Sequence, residues 1–367
     1  MHVIDGLPFG GAERMLVEIA NQTAASGHKV SVCVTRSDTE MASILRNDID
    51  VWVLNRNRRF DWASLIKFSQ IVKNQKVKIL HAHSRSTLAF LALGKTLQVY
   101  RTPIIMHDHF GIELNNSVPI WFRFWAKYWV DHYVGVYEKL ATWGEDAGIN
   151  PQKISVIDNA LDLTKLIDVE PLNIKNYFGL PADSLIGIVV GNLRQEKGID
   201  NLLQAISLSA SEKPMRILVV GNQNDKVYAE KCFSQQTSLG LHEIVLFLGE
   251  RQDVPRLLGG ADFALLPSRS ESGPLVLIEC MAFALPFVAT QVGGISHKVA
   301  EMGVPEFVEP DNPVAFAAAM DRLLSLSGSE RQKRGKIGQK IAIEHFDISQ
   351  QMRRWVKIYD AVLENTK

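Results

Sequence analysis

Cysteine is scarce in this chain: the 367 residues include three, Cys33, Cys232 and Cys280. They lie far apart and lack the paired spacing of a disulfide framework or of a zinc site. We therefore expect a protein of a reducing compartment with no cysteine-bound metal.

The chain also has no excess of charge of either sign, because 40 basic residues balance 40 acidic ones. This balance argues against nucleic acid as the main partner. No apolar run approaches the ~18 residues that span a bilayer. The first residues lack the basic and then apolar pattern of a signal peptide. We therefore expect a cytoplasmic protein.

The length of the chain predicts two domains, and 46% hydrophobic residues are enough for sizeable cores. Short apolar strands alternate with helical patterns in both halves. The strands expected in the first half are His2–Asp5, Lys29–Thr35, Val51–Asn55, Lys78–Ser84, Pro103–His109 and His132–Tyr137. Those expected in the second half are Ile186–Gly191, Arg216–Gly221, Ile244–Gly249, Ala261–Leu266, Pro286–Thr290 and Phe307–Val308. The alternation predicts an α/β fold with parallel sheets covered by helices.

Residues 267 to 294, PSRSESGPLVLIECMAFALPFVATQVGG, hold the most informative pattern. A buried strand is expected to end at Pro267, and a loop rich in Ser and Arg follows it. A helix then opens at Gly273 and Pro274, and because it is apolar all round it should be buried. Glu279 within it is either bonded to a nearby protein group or accepts hydrogen bonds from the hydroxyls of a sugar or ribose.

Glu271 favours the ligand interpretation, since it precedes Glu279 with seven residues between them. The start of a helix also attracts anions through its free N–H groups and its dipole. Two carboxylates beside a phosphate cradle suit a nucleotide sugar. In this pattern, and along nearly its whole length, the chain resembles the retaining family 4 glycosyltransferases.

The resemblance implies two facing Rossmann-like domains of the GT-B type. The expected divisions are an acceptor-side domain over 1–164, a nucleotide-sugar-binding domain over 165–345, and a terminal helix over 346–367 that packs back on the first domain. It also implies that Glu271 holds the sugar, that Glu279 anchors the ribose, and that the helix start contacts the donor. The residues of that helix start are Ser272, Gly273, Pro274, Leu275 and Val276.

Glycine-rich turns follow several of the expected strands. The Rossmann spacing G-x-G-x-x-G is absent after the first strand, so a dinucleotide is not indicated. Gly10 and Gly11, followed by Glu13, match the family's glycine pair near the donor phosphates. In GNLRQEKG, residues 191–198, Arg194 and Lys197 suit a diphosphate. Arg251 lies in a loop that in the family is near the base.

Histidines are concentrated in the first half. His81, His83, His107 and His109 are expected near the carboxyl ends of strands, where open α/β sheets place ligands. The repeated His-x-His pattern is compatible with a metal site. We disfavour this interpretation because no cysteine and few acidic residues accompany the histidines. The resemblance instead places one histidine near the reacting sugar: His109, with His107 as its competitor.

Residues 119 to 133 contain Trp121, Trp125 and Trp129 at helical spacing, with Arg123 and Lys127 between them. We expect this stripe to face the core, and the alternative is an interfacial helix at lipid headgroups. The basic cluster of Arg56, Arg58 and Arg59 would assist such a membrane contact.

The resemblance implies retaining transfer of a sugar from a nucleotide diphosphate sugar, with UDP favoured and GDP next, to an acceptor hydroxyl. The acceptor would be a saccharide or a lipid-linked molecule of the cell envelope. Neither a metal nor another cofactor is expected. Two alternatives stay open: a sugar-nucleotide epimerase that uses the histidines as acid and base, and a non-catalytic protein that binds sugar nucleotides.

Overall fold

The computed structural model describes residues 1–58, 60–109, 119–304 and 306–365. It divides into two compact units. Unit 1 comprises Met1–Ala160 and Ile348–Lys367, and unit 2 comprises Leu161–Asp347.

Unit 1 contains a seven-stranded parallel sheet with the order β3-β2-β1-β4-β5-β6-β7. Its strands are β1 His2–Ile4, β2 Ser31–Val34, β3 Asp50–Val53, β4 Leu80–Ala82, β5 Ile104–Asp108, β6 Val130–Gly135 and β7 Ile154–Val156. Its helices are α1 Gly11–Ala25, α2 Trp62–Asn74, α3 Arg85–Thr96, α4 Ile120–Trp129, α5 Glu138–Asp146 and, from the end of the chain, α15 Ile348–Glu364. The order reverses direction at β1, so ligands are expected beyond the carboxyl ends of β1 and β4.

Unit 2 has a six-stranded parallel sheet with the order β10-β9-β8-β11-β12-β13. Its strands are β8 Leu185–Val190, β9 Met215–Val220, β10 Val245–Gly249, β11 Phe263–Leu266, β12 Phe287–Thr290 and β13 Phe307–Val308. Its helices are α6 Leu163–Ile167, α7 Ile174–Phe178, α8 Ile199–Leu208, α9 Lys226–Ser238, α10 Val254–Gly260, α11 Leu275–Ala282, α12 Gly293–Glu301, α13 Pro313–Ser325 and α14 Gly328–His345. Here the order reverses between β8 and β11, which are hydrogen-bonded neighbours.

Local sequence explains where several helices begin. Asp61 accepts a hydrogen bond from the Ser64 amide at the start of α2, and Ser84 accepts one from the Thr87 amide at the start of α3. Ser327 and Glu330 form a capping box that begins α14. Each cap satisfies amides that have no partner inside the helix. Every expected strand is present, with ends that differ by at most two residues.

Two expectations about burial are wrong. In α4 the residues that face the core are Phe122 and Ala126, whereas Trp121 is 36% exposed and Trp125 and Trp129 are half-buried. The tryptophans lie one position, about 100°, around the helix from the buried face. In α11 the apolar residues Leu277, Ile278, Cys280, Met281 and Ala282 are buried, but Leu275, Val276 and Glu279 form a half-buried face.

Unit 1 draws part of its core from the end of the chain. Helix α15 packs against α1, and its Trp355 is fully buried. In the part of the chain that the structure describes, no helix is long and apolar enough to cross a bilayer.

Candidate functional site

Two loops meet where the sheet of unit 2 reverses its order. One follows β8 and ends at Gly198, and the other follows β11 from Pro267. The Arg269 amide donates to the Glu196 carbonyl at 2.7 Å, and the Arg269 guanidinium donates to the Gln195 carbonyl at 2.8 Å. The loops after β8 and β11 are therefore held together by backbone contacts, at the position where an open α/β sheet binds its ligand.

Gly198 makes this close approach possible. Its φ of +64° lies in the left-handed region, and a Cβ placed there would lie 2.1 Å from the carbonyl oxygen of Pro267. No other residue type satisfies both conditions, since the neighbouring atom is backbone and cannot swing aside. The glycine that ends GNLRQEKG thus positions Lys197 against the second loop.

Lys197 was predicted to bind a diphosphate and Glu271 to hold a sugar. In the structure the two side chains are in direct contact. Lys197 Nζ donates to Glu271 Oε1 at 2.5 Å, and Ser268 Oγ donates to the same oxygen at 2.9 Å. Both charged side chains are partly accessible, at 28% and 15%. Lys197 and Glu271 therefore form an oriented ion pair that a ligand in the site can reach.

A group of hydrogen bonds around Asp200 fixes the loop that carries Glu271. It was not predicted from the sequence. Asp200 is buried and accepts hydrogen bonds from Arg269 at 2.7 and 3.0 Å, from Tyr228 at 2.6 Å and from Lys231 at 2.8 Å. Burial acts to raise its pKa, but the hydrogen bonds from Arg269, Lys231 and Tyr228 prevail and hold the pKa of Asp200 well below its usual value. Arg269 is thus a structural cation that fixes the loop, and no local sequence signal links it to Asp200.

Helix α11 begins beside the ion pair. Its first turn has no side-chain cap, and Pro274 occupies the N-cap position. The Gly294 amide donates to the Ser272 carbonyl at 2.8 Å, which braces the loop just before the helix. The half-buried face of Leu275, Val276 and Glu279 runs from this start along one turn. An anion here would meet amides and the positive end of the helix dipole, with the Glu279 carboxylate one turn further on.

Two other cations of unit 2 lie apart from the Lys197–Glu271 contact. Arg194 is exposed at the start of the short 3-10 turn that contains Lys197. Arg251 follows edge strand β10 and forms two 2.8 Å hydrogen bonds with Asp253. Its guanidinium also lies 5.6 Å from the ring centres of Tyr177 and Phe178. The hydrogen bonds that Arg251 donates to Asp253 and Tyr177 raise its pKa, so it is a fixed cation.

In unit 1, the glycine pair lies at the amino end of α1. Gly10 is the N-cap residue, and it is exposed together with Gly11. A Cβ at Gly10 would lie 2.3 Å from a carboxylate oxygen of Glu13, so that side chain folds over the glycine. The amino end of α1 is therefore exposed. It follows β1, the strand at which the order of the sheet reverses, after a single loop.

Five histidines of unit 1 form one buried cluster: His81, His83, His107 and His109 at the carboxyl ends of β4 and β5, and His2 of β1. His2 Nδ1 lies 2.9 Å from His83 Nε2, and His83 Nδ1 lies 3.2 Å from His109 Nε2. His81 Nδ1 is 3.0 Å from the hydroxyl of Tyr359 on α15. His107 packs on Trp355 at 4.7 Å between ring centres. Over the described residues, both ring nitrogens of His107 and the Nδ1 atom of His109 have no hydrogen-bond partner.

Burial keeps this cluster uncharged. Desolvation lowers the pKa of His2 and of His109 to about 3 and lowers the pKa of His81, His83 and His107 well below 6.5. His109 is 8% exposed and His107 is 1% exposed, so His109 is the more accessible of the two competing histidines. Either one would meet a ligand as a neutral imidazole.

Two sets of three ring nitrogens lie close enough to hold a metal ion: His2, His81 and His83, and His83, His107 and His109. Neutral imidazole is the form that binds metals. However, the chain of contacts from His2 through His83 to His109 is also satisfied by hydrogen bonds between neutral tautomers. A metal bound through one ring nitrogen of His83 would replace the hydrogen bond of that nitrogen and leave the other in place. Hydrogen bonds between neutral rings thus account for the contacts of His2, His83 and His109 with one another, but over the described residues they leave both nitrogens of His107 without a partner.

Family profiles match both units. "Glycosyltransferase Family 4" matches residues 9–165 and "Glycosyl transferases group 1" matches residues 173–341. The chain is 24% identical over 375 residues to the N-acetyl-alpha-D-glucosaminyl L-malate synthase of Bacillus anthracis, covering 98% of this chain and 96% of that one. It is 26% identical over 247 residues to the UDP-Gal:alpha-D-GlcNAc-diphosphoundecaprenol alpha-1,3-galactosyltransferase of Escherichia coli, covering 64% and 63% of the two chains.

Among solved structures, Anabaena HepE in complex with UDP and glucose superposes with a TM-score of 0.82 at 19% identity, over 98% of both chains. Two parallel sheets, each with its order reversing beside the first strand, and this structural likeness thus show a GT-B fold. The profile matches make the assignment more specific: the chain belongs to glycosyltransferase family 4. This membership favours sugar transfer over the epimerase and the non-catalytic alternatives.

Proposed function

We propose that the protein is a retaining glycosyltransferase that transfers a sugar from a UDP-sugar to an acceptor hydroxyl. GDP-sugars are the next candidates. The observation that carries this proposal is the contact between Lys197 and Glu271 beside the start of α11. It combines a cation for a diphosphate with a carboxylate for sugar hydroxyls at the ligand-binding edge of the sheet. Unit 2 is then the donor-binding domain and unit 1 the acceptor-side domain.

In this mechanism the bond between the anomeric carbon and the diphosphate breaks, and negative charge builds on the leaving phosphate. Lys197, Arg194 and the first amides of α11 stabilise that charge. These cationic groups do the work that a divalent metal would otherwise do, so we propose that no metal is required. Glu271 holds the sugar, and Glu279 accepts hydrogen bonds from the ribose.

The acceptor oxygen forms the new bond on the face from which the phosphate leaves, and its proton passes to an oxygen of that phosphate. No protein base is needed for this step. We propose His109 as a neutral hydrogen-bonding group for the sugar, because its lowered pKa leaves it uncharged at neutral pH. The donor contacts are completed by Gly10 and Gly11 at the phosphates and by Arg251 near the base.

The UDP preference is supported by the UDP-Gal in the name of the E. coli relative and by the UDP in the HepE structure. A role in envelope polysaccharide or glycolipid synthesis is supported by the lipid-linked acceptor that the same relative's name states. Cys33, Cys232 and Cys280 are free and buried, which supports the cytoplasm as the compartment.

We further propose that α4 contacts the inner face of the membrane. Its outer side exposes Ile120 at 87%, Phe124 at 53% and Tyr128 at 58%, with the exposed cations Arg123 and Lys127 beside them. Apolar and aromatic side chains flanked by cations suit an anionic lipid surface. Cosedimentation with anionic liposomes at low salt should be lost in Arg123→Glu with Lys127→Glu. A wild-type protein that stays in the supernatant would contradict the contact.

The central experiment incubates the protein with UDP-glucose, UDP-galactose or GDP-mannose and a panel of saccharide acceptors. We expect free nucleotide diphosphate together with a glycosylated product. Proton NMR of the new linkage should show the anomeric configuration of the donor. An inverted linkage would refute the retaining mechanism, and an isomerised sugar nucleotide without transfer would refute the function.

A further inference from the structure

Unit 1 contains a cavity whose described lining includes none of the clustered histidines. It is a cavity of about 350 Å³ at the carboxyl ends of β2, β3 and β4, closed on one side by α4. The segments that follow these strands supply its polar groups, and α3 and α4 supply most of its apolar wall. A cavity of this size suits one small chemical group and leaves the remainder of a larger ligand outside.

The cavity is strongly basic. Of the described residues that line it, four are arginines, Arg36, Arg56, Arg58 and Arg85, and none is acidic. Two of them are neutralised: Arg56 binds Asp5 at 2.7 Å and Arg85 binds Asp108 at 3.0 Å. Arg36 and Arg58 are exposed, and within the described residues neither forms an ion pair. The site therefore carries about two uncompensated positive charges.

The environment of Arg56 indicates that the arginines of this cavity form a binding site and are not a chance group of surface charges. Its side chain is buried, at 5% exposure, and its guanidinium lies 5.0 Å from the ring centre of Phe90. Its Nε–H has no hydrogen-bond partner in the described part of the chain. A buried charged donor without an acceptor is costly. An anion in the cavity would supply the missing acceptor.

Aromatic side chains form much of the remaining lining of the cavity. Phe60, Phe90, Trp121, Phe122 and Trp125 line the same cavity. Trp121 and Trp125 also pack edge to face, with ring centres 5.6 Å apart. Arginines alone suit any anion, but arginines beside aromatic rings suit an anion attached to an apolar group. A neutral sugar acceptor would not require either feature.

We propose that this cavity binds the phosphate or diphosphate of the acceptor, with the apolar group attached to that phosphate lying against the aromatic wall. Its identification as an acceptor site rests on the proposed function, whereas its binding of phosphate does not. Guanidinium groups match phosphate oxygens in two-point hydrogen bonds, which explains the use of arginine here. The exposed apolar side of α4 continues this wall outward and gives a lipid chain a path away from the cavity.

Binding can be measured without turnover, because Trp121 and Trp125 line the site. Inorganic pyrophosphate, farnesyl diphosphate, farnesol and glucose 6-phosphate are titrated against tryptophan fluorescence and by calorimetry. We expect farnesyl diphosphate to bind more tightly than pyrophosphate, and farnesol to bind weakly. Glucose 6-phosphate tests for an acceptor without an apolar group, and an affinity equal to that of farnesyl diphosphate would overturn the role of the aromatic wall.

The test variant is Arg36→Glu with Arg58→Glu. We expect the affinity for farnesyl diphosphate to fall roughly tenfold or more, since each charged hydrogen bond contributes at least that factor. The matched control is Lys78→Glu with Arg101→Glu, which makes the same charge change at the amino ends of β4 and β5. Unchanged binding in the test variant, or an equal loss in the control, would overturn the proposal. Arg36→Gln with Arg58→Gln serves if the glutamate variant does not fold.

Calorimetry with UDP separates this inference from the proposed function. The same wild-type and variant proteins should bind UDP equally well, because Arg36 and Arg58 are not among the donor contacts proposed above. Loss of phosphate binding with intact UDP binding supports the acceptor site. Wild-type protein that binds UDP but neither pyrophosphate nor farnesyl diphosphate would overturn the site and leave the proposed donor function standing.

Discussion

Acidification should destabilise unit 1 selectively, because unit 1 buries five neutral imidazoles at one place. The pKa of His2 and of His109 is lowered to about 3, and the pKa of His81, His83 and His107 is lowered well below 6.5. Desolvation is the main cause in each case, and a proton on one ring would also repel a proton on the next. In the unfolded chain the same side chains titrate near the ordinary value of 6.5.

Below pH 6.5 these histidines bind protons in the unfolded state but not in the folded state. The free energy of unfolding therefore falls as the pH falls. The loss begins near the unfolded pKa of 6.5 and continues toward the folded values near 3. At about pH 5.5, each fully excluded proton lowers the free energy of unfolding by about 1.4 kcal/mol. Five such groups amount to about 7 kcal/mol, which is comparable with the whole stability of a typical domain, about 5–15 kcal/mol.

Tryptophan fluorescence measures this effect in unit 1 alone, because all seven tryptophans lie there. Urea titrations at about pH 7.5, 6.5 and 5.5 should show the transition moving to lower urea as the pH falls. His107→Leu, which removes a ring without hydrogen-bond partners, should recover about one fifth of the loss. Exposed His28→Gln should recover none. A change of less than about 1.4 kcal/mol between the extremes would refute the neutral cluster.

Three predictions concern unit 2. Lys197→Ala should lower kcat about 100-fold and donor affinity less, since charge builds on the diphosphate only as the bond breaks, and a raised KM alone would contradict this role. Glu279→Gln should weaken UDP binding roughly tenfold by calorimetry, with exposed Glu243→Gln as the unchanged control. Gly198→Ala should unfold unit 2 more readily than Gly179→Ala: both glycines have a φ of +64°, but only at Gly198 would the Cβ meet a backbone carbonyl. Equal effects at the two glycines would show that the loop contact is unimportant.

The alternation of strands and helices was predictable from the sequence because strands of a parallel sheet are buried on both faces. Such strands are short continuous apolar runs, as in the fully buried β12. Strand ends were less accurate, since the apolar pattern often continues beyond the last ladder hydrogen bond. The expected strand Lys78–Ser84, for example, pairs only over Leu80–Ala82.

Side-chain environments were predicted less well than the elements that carry them. The apolar composition of α11 indicated a buried Glu279, but composition does not show which side of a helix remains open. In α4, tryptophan spacing indicated a core-facing stripe, yet the smaller face of Phe122 and Ala126 fits against the core. The ion pair between Arg269 and Asp200 could not be predicted from the sequence. The two residues are 69 positions apart, and only the order of the strands brings them together.

The arginines after β3 show how the order of strands separates residues that look equivalent in the sequence. Arg59 lies outside the described residues, but Arg56 and Arg58 can be compared. Because β3, β2 and β1 are neighbours, Asp5 Oδ1 after β1 accepts hydrogen bonds from Thr35 Oγ1 after β2 at 2.6 Å and from Arg56 after β3 at 2.7 Å. This contact buries Arg56 and removes it from any membrane surface, contrary to our expectation of a single basic cluster. Arg58, two residues later, is exposed, lines the cavity and forms no ion pair within the described residues. The same short basic run therefore contributes one structural ion pair and one cation that can bind a ligand.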